Sequence, residues 1–290
     1  MNTAPAASRA VLITGCSTGV GRAAAWRFLR AGHPVYATAR EVAGLAELAD
    51  AGATTLPLDV TDETAMTAAV RRVEAEHGAV GILVNNAAYG IQAAFEATDL
   101  DEARRMFETN FFGLSRLSQL VLPAMRDASA GRIVNVTSMG AHFSLPGAGF
   151  LHATKYAVEA VTDALRLEVR GFGIDVVLVE PGPIRTPFPT KINATIPGPT
   201  GGPYDQFHAA VEQRVSAAYV ERRTSLALSP EKVAQVIERA ALTRRPRARY
   251  PVGLMSRGLI AVSHWLPDAA VDAITRSQFP GPRPTTRRDA

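Results

Sequence analysis

The chain has 290 residues, 47% hydrophobic and 20% charged, which suits one large globular domain with a substantial core and excludes a fibrous or wholly disordered protein. Its +4 formal charge rests on 28 arginines and three lysines; the arginine clusters at Arg244–Arg249 and Arg283–Arg288 follow the core and read as solvated faces, so no nucleic-acid partner is expected. A single cysteine, Cys16, excludes an internal disulfide and fits a reducing cytoplasm.

No signal pattern precedes the first apolar run, and no uninterrupted apolar stretch reaches the ~18 residues of a membrane span. Short β-rich runs alternate with helical patterns along the chain. Ala10–Thr14, Val35–Thr38, Thr55–Asp59, Ile82–Asn85, Ile133–Val136 and Asp175–Glu180 read as buried parallel strands. Arg22–Arg30, Thr64–Glu76, Leu100–Leu122 and His152–Val169 read as the helices between them. Such alternation predicts an α/β fold of the Rossmann type, a doubly wound parallel sheet whose ligands bind beyond the carboxyl ends of the strands.

The first strand runs into Thr14-Gly15-Cys16-Ser17-Thr18-Gly19-Val20-Gly21 and then a helix. Glycines at such a turn let the backbone approach a pyrophosphate, and the helix N-terminus offers free N–H groups. The second strand ends in Ala39-Arg40 where an acid would meet a free ribose 2′-OH. A guanidinium there pairs instead with a 2′-phosphate, so NADP(H) is favoured over NAD(H). Two roles fit Asp59, beside Val60: acceptor for an adenine amino group, or N-cap of the next helix. The fourth strand ends in Asn85-Asn86-Ala87-Ala88, small enough to pack over the adenine ribose. Asn110, amid Phe107, Phe111 and Phe112, needs a buried hydrogen-bond partner.

Taken with Ser138, Lys155 and Pro181-Gly182-Pro183-Ile184-Arg185-Thr186, these motifs in this order and spacing resemble the short-chain dehydrogenase/reductase family over about residues 8–250. The wording around CSTGVGRA, NNAAYG and FLHATKYAVEA is similar to the branch of bacterial oxidoreductases near 17β-hydroxysteroid and retinol dehydrogenases. The resemblance implies hydride transfer between nicotinamide and a carbonyl or alcohol carbon of a hydrophobic small molecule. It implies that Ser138 binds the substrate oxygen, Lys155 the nicotinamide ribose, and Asn110 a water in a proton relay. Thr186, with Pro181, Gly182 and Ile184, would meet the nicotinamide. A homodimer or homotetramer is implied, and no metal is expected.

The family's tyrosine stands four residues before the lysine, and here that residue is Leu151. Leucine exchanges no proton. Tyr156 lies about 100° around the helix and reads as core packing; His142 and His152 are possible substitutes. Three readings follow: an NADP(H)-dependent oxidoreductase with impaired or atypical proton transfer, a non-redox catalyst (cyclisation, dehydration or isomerisation), or a pseudoenzyme or binding subunit.

After the sixth strand, residues 187–229 carry no continuous apolar period. They read as a lid whose inner face is Phe188, Ile192, Ile196, Tyr204 and Phe207, or as a solvated loop around one helix at Tyr204–Arg223. Ser229-Pro230 starts a helix, and Ala248–Val252 suggests an edge strand. Residues 251–279 read as a C-terminal helical extension, and 280–290, rich in proline and arginine, as a disordered tail.

Overall fold

A computed structural model describes residues 8–220, 227–263 and 265–279; the tail at 280–290 lies outside them. Seven parallel strands form one sheet in the order β3-β2-β1-β4-β5-β6-β7. They are β1 (Val11–Ile13), β2 (Val35–Ala39), β3 (Thr54–Pro57), β4 (Ile82–Asn85), β5 (Gly131–Val136), β6 (Ile174–Pro181) and β7 (Arg249–Val252). The order reverses between β1 and β4, and their carboxyl ends open the crevice where such sheets bind ligands.

Burial on both faces explains the near-continuous apolar strands, and the period of two splits each strand between two cores. Val11 and Ile13 pack on one side with Phe28 of α1 (Gly19–Arg30) and Ile237 of α9 (Pro230–Leu242). Leu12 faces the other, with Met66 and Val70 of α3 (Glu63–His77) and Leu117 and Val121 of α5 (Leu114–Asp127). A short α2 (Ala46–Asp50) links β2 to β3. Asp62, not Asp59, caps α3, accepting from the Thr64 and Ala65 amides. Asp59 instead holds the turn, its Oδ1 accepting from the Thr61 amide at 2.9 Å.

The helix expected over Leu100–Leu122 is broken. A first piece, α4 (Leu100–Phe107), passes through a π-turn, Glu108–Gly113, into α5. The wider turn lets Gly113 sit against the Val60 carbonyl, where an added Cβ would lie 2.3 Å from that oxygen. It also turns Asn110 inward. π-Turns of this kind concentrate at functional sites.

Beyond β5 comes α6 (Gly149–Glu168), the helix of Leu151 and Lys155. The segment after β6 folds as α7 (Phe188–Asn193) and α8 (Asp205–Val220), two helices rather than a loop around one. Its ends meet at a parallel bridge between Ile184 and Leu228. The chain then closes with α9, β7, α10 (Leu254–Ser263) and α11 (Asp268–Gln278). Among the described residues no helix is long and apolar enough to cross a membrane.

Candidate active site

The candidate nucleotide end is built by backbone geometry. Gly15 and Gly19 hold φ of +73° and +60°, which side chains resist. A Cβ on Gly21 would lie 2.3 Å from the Gly15 carbonyl, and one on Gly19 would lie 3.0 Å from Thr186 Cγ2. The turn is locked to β4: Thr14 Oγ1 accepts from the Asn86 and Ala87 amides, both at 3.0 Å, and Asn86 Nδ2 donates to the Thr14 carbonyl at 2.9 Å. Thr18, at the N-cap of α1, makes no side-chain cap, and no acid occupies the first turn. That N-terminus therefore keeps its amides and its positive dipole end for an anion, which fits a dinucleotide phosphate. Arg40 and Asp59 line one cleft of 650 Å³ with Leu56, Pro57 and Leu58, within the ~300–1,000 Å³ of small-molecule sites. Val60 is buried beside it. Ser17 and Thr18 are exposed, Val20 is buried, and Cys16 beneath them is fully buried, its thiol pushed up to about 12 by burial.

The catalytic candidates converge through short links. Asn110, 1% exposed, accepts from the Tyr89 amide and donates to the Tyr89 carbonyl, at 3.0 and 2.8 Å. Its Nδ2 also meets Thr154 Oγ1 at 3.2 Å, directly before Lys155. The asparagine side chain thus fixes the loop after β4 against α6. Lys155 Nζ lies 3.4 Å from the Val136 carbonyl, two residues before Ser138. Burial pushes the Lys155 ammonium down to about 8, partly countered by Glu159 one turn along. Ser138 lies two residues past β5 and caps the short turn Met139–Ala141, its Oγ accepting from the Gly140 amide at 3.1 Å. Met139 lies under Gly182, joining the serine loop to the Pro181–Thr186 segment.

Leu151 belongs to an apolar cluster against which Tyr89 also packs. It packs with Ile91, with Ala103 and Met106 of α4, and with Ile192 of α7, and a Cβ on Gly90 would come 2.9 Å from its Cδ2. Phe150 next to it stacks on Phe95, centroids 5.2 Å apart. In the segment after β6, of which 221–226 lie outside the described residues, Phe188 and Ile192 join the Leu151 cluster, while Ile196, Tyr204 and Phe207 form a second with Ala94 and Val211. It is latched by His208, whose Nε2 accepts from the Ala94 amide at 3.0 Å.

Each of the two histidines has a hydrogen-bond partner outside this cluster. His152 is held beneath the serine turn, its Nδ1 2.9 Å from the Phe143 carbonyl, and burial lowers its pKa. His142 Nε2 bonds Glu180 Oε1 at 2.9 Å. Tyr156 is 42% exposed rather than core, because one helical step turns it from the Leu151–Lys155 face toward solvent. Sequence reasoning missed Tyr89, Glu159, Glu180 and His208. Glu180 had a signal: a charge ending the otherwise buried run Asp175–Glu180.

The family model described as short chain dehydrogenase matches residues 9–197. A 3-ketodihydrosphingosine reductase of Bacteroides thetaiotaomicron is 35% identical over 89% of this chain and 93% of its own. An uncharacterised oxidoreductase of Escherichia coli K12 is 34% identical over 92% and 93%. The crystal structure of a short-chain dehydrogenase from Streptomyces avermitilis, 31% identical, superposes with a TM-score of 0.77 over 94% of this chain and 96% of that one.

Proposed function

As this chain belongs to the short-chain dehydrogenase family and is an oxidoreductase, we propose that it reduces the carbonyl of a hydrophobic small molecule with NADP(H), by a proton transfer that dispenses with tyrosine. Four features support the reading. The uncapped, acid-free start of α1 suits the pyrophosphate, and Arg40 with Asp59 in one cleft suits a 2′-phosphorylated adenosine. Thr14, Gly15, Ser17–Gly21, Val60, Asn86, Ala87, Pro181, Gly182, Ile184 and Thr186 complete the cofactor contacts. Phe188, Ile192 and Phe150 give an apolar enclosure beneath a lid at 187–229. The Bacteroides relative acts, by its name, on 3-ketodihydrosphingosine, a ketone.

NADPH held by these residues would supply a hydride to the carbonyl carbon. Ser138 donates a hydrogen bond to the carbonyl oxygen, drawing electrons toward it. Lys155 then supplies the proton that tyrosine would give. Its burial places it near 8, so it is charged at neutral pH yet yields a proton readily, as a general acid should. Asn110 holds Tyr89 and Thr154 so that the lysine keeps its place. The enzyme acts in the cytoplasm as a homodimer or homotetramer; the half-exposed Leu100, Phe112 and Tyr156 on α4, the π-turn and α6 support such pairing.

One observation carries the atypical step: Leu151 is closed in by Ile91, Met106 and Ile192 while Ser138, Asn110 and Lys155 stay in place. Calorimetric titration should show NADPH binding at least ~10-fold tighter than NADH, and a ketone panel should show slow NADPH oxidation. Leu151→Tyr should raise kcat, by less than the ~10²–10⁴ of a well-placed acid because Ile192 must give way. The same leucine favours a second reading, a non-redox catalyst on this scaffold. There, wild type oxidises no NADPH and Leu151→Tyr damages the native reaction.

A further inference from the structure

Behind Ser138 lies a buried polar unit that the reduction does not use directly. Glu180, at the end of β6, is 0% exposed, and Glu159, on α6, is 7% exposed. Both are bridged by Arg249 of β7, which stands 3.4 Å from Glu180 Oε1 and 3.2 Å from Glu159 Oε2 and also pairs with Asp163. Each carboxylate takes hold of the serine loop on a different side. Thr137 Oγ1 donates to Glu159 Oε1 at 2.7 Å, immediately before Ser138, and His142 Nε2 donates to Glu180 Oε1 at 2.9 Å, four residues after it. The Thr137 amide is tied to the Val179 carbonyl, and Ser256 Oγ of α10 donates to the Glu180 carbonyl at 2.8 Å.

Buried carboxylates demand compensation, and removing one partner of such a pair strands the other's charge. Here the ligand-like spacing of His142, Glu159 and Glu180, within 4.8 Å of one another, is met by the guanidinium of Arg249. Three acids (Glu159, Glu180, Asp163) face four basic groups (Arg249, His142, Lys155 and Arg166, the last on Asp163). The hydrogen bond to Glu180 raises the His142 pKa against the opposing effect of burial, favouring the charged form. The cost of breaking this unit falls on whatever it grips, and it grips the short turn between Thr137 and His142.

We propose that the Glu159–Arg249–Glu180 unit, holding Thr137 and His142 on either side of Ser138, positions the serine hydroxyl against the substrate carbonyl. The inference rests on the carbonyl-reduction reading. His142 and Glu180 are positioning residues: they act through Ser138 and touch no reacting atom. An ångström of displacement in such a group can cost ~10²-fold in rate.

A double-mutant cycle tests this. Glu180→Gln should lower kcat on the best ketone about tenfold with KM and NADPH affinity within about twofold, since the loss is confined to the transition state. In a Ser138→Ala background the same change should cost less than about twofold, because the group it positions is gone. His142→Gln, which keeps an N–H donor for Glu180, should recover to within about threefold of wild type, whereas His142→Leu should not. An equal tenfold loss without the serine, or a parallel loss of NADPH binding, would overturn the proposal. If Glu180→Gln fails to fold, His142→Leu takes its place in the cycle. If wild type reduces no ketone at all, it is the carbonyl-reduction reading that fails. The clamp is then judged by amide exchange at Ala141 and His142, whose amides bond the Ser138 and Met139 carbonyls. Exchange about tenfold faster in Glu180→Gln supports it, and unchanged exchange sinks it.

Discussion

The two ends of the crevice are made by different means. At the proposed nucleotide end the surface is backbone: glycine turns, the open start of α1, and a threonine and an asparagine whose side chains bond main-chain atoms. Each position there is fixed by sterics within a fraction of an ångström, as a Cβ on Gly21 at 2.3 Å from the Gly15 carbonyl makes plain. At the substrate end the working surface is side chains. There Leu151 clusters with Ile91, Met106 and Ile192, one helical turn before Lys155. Backbone-built sites fail as a whole when altered, whereas side-chain-built sites change their chemistry one residue at a time.

Four experiments sharpen that contrast. Lys155→Met removes the proposed proton donor and should lower ketone turnover ~10²–10⁴-fold; a smaller effect would assign the proton to water. In wild type, kcat should fall as pH rises above about 8, where Lys155 loses its charge. Gly21→Ala strikes the nucleotide end. Forcing a methyl against the Gly15 carbonyl should cost about 1–3 kcal/mol, a roughly 5- to 150-fold loss of NADPH affinity by calorimetry. Arg40→Ala should weaken NADPH about tenfold and leave NADH unchanged, since only the 2′-phosphate loses its partner.

The smallest effect concerns the lid latch. His208 accepts from the Ala94 amide and so must be unprotonated on that nitrogen, and burial lowers its pKa. A depressed imidazole stabilises the folded lid at pH above its ordinary ~6.5, and the contribution is lost as pH falls below that value. His208→Ala should cost about 1 kcal/mol of lid closure. Hydrogen exchange of the Ala94 amide should speed up in wild type below about pH 6 and be insensitive to pH, beyond its intrinsic chemistry, in the variant.

The strand pattern, the glycine turn and the serine–lysine spacing follow from the sequence alone, because each depends on local rules: the period of two, the left-handed φ of glycine, the helical step of 100° per residue. The β-rich runs at Val35, Ile82 and Ile133 fall on β2, β4 and β5, and Ser229 caps α9. Tertiary structure decided what depends on which surfaces meet. The long helix at Leu100 broke at Asn110 because the amide finds its partners on Tyr89, more than twenty residues away in sequence. Asp62 took the cap that Asp59 could have held, since only its oxygen reaches the Thr64 and Ala65 amides. Tyr156 turned to solvent although its type suggested core. Arg249, Glu159 and Glu180 came together from β7, α6 and β6, a meeting of charges that no local period encodes.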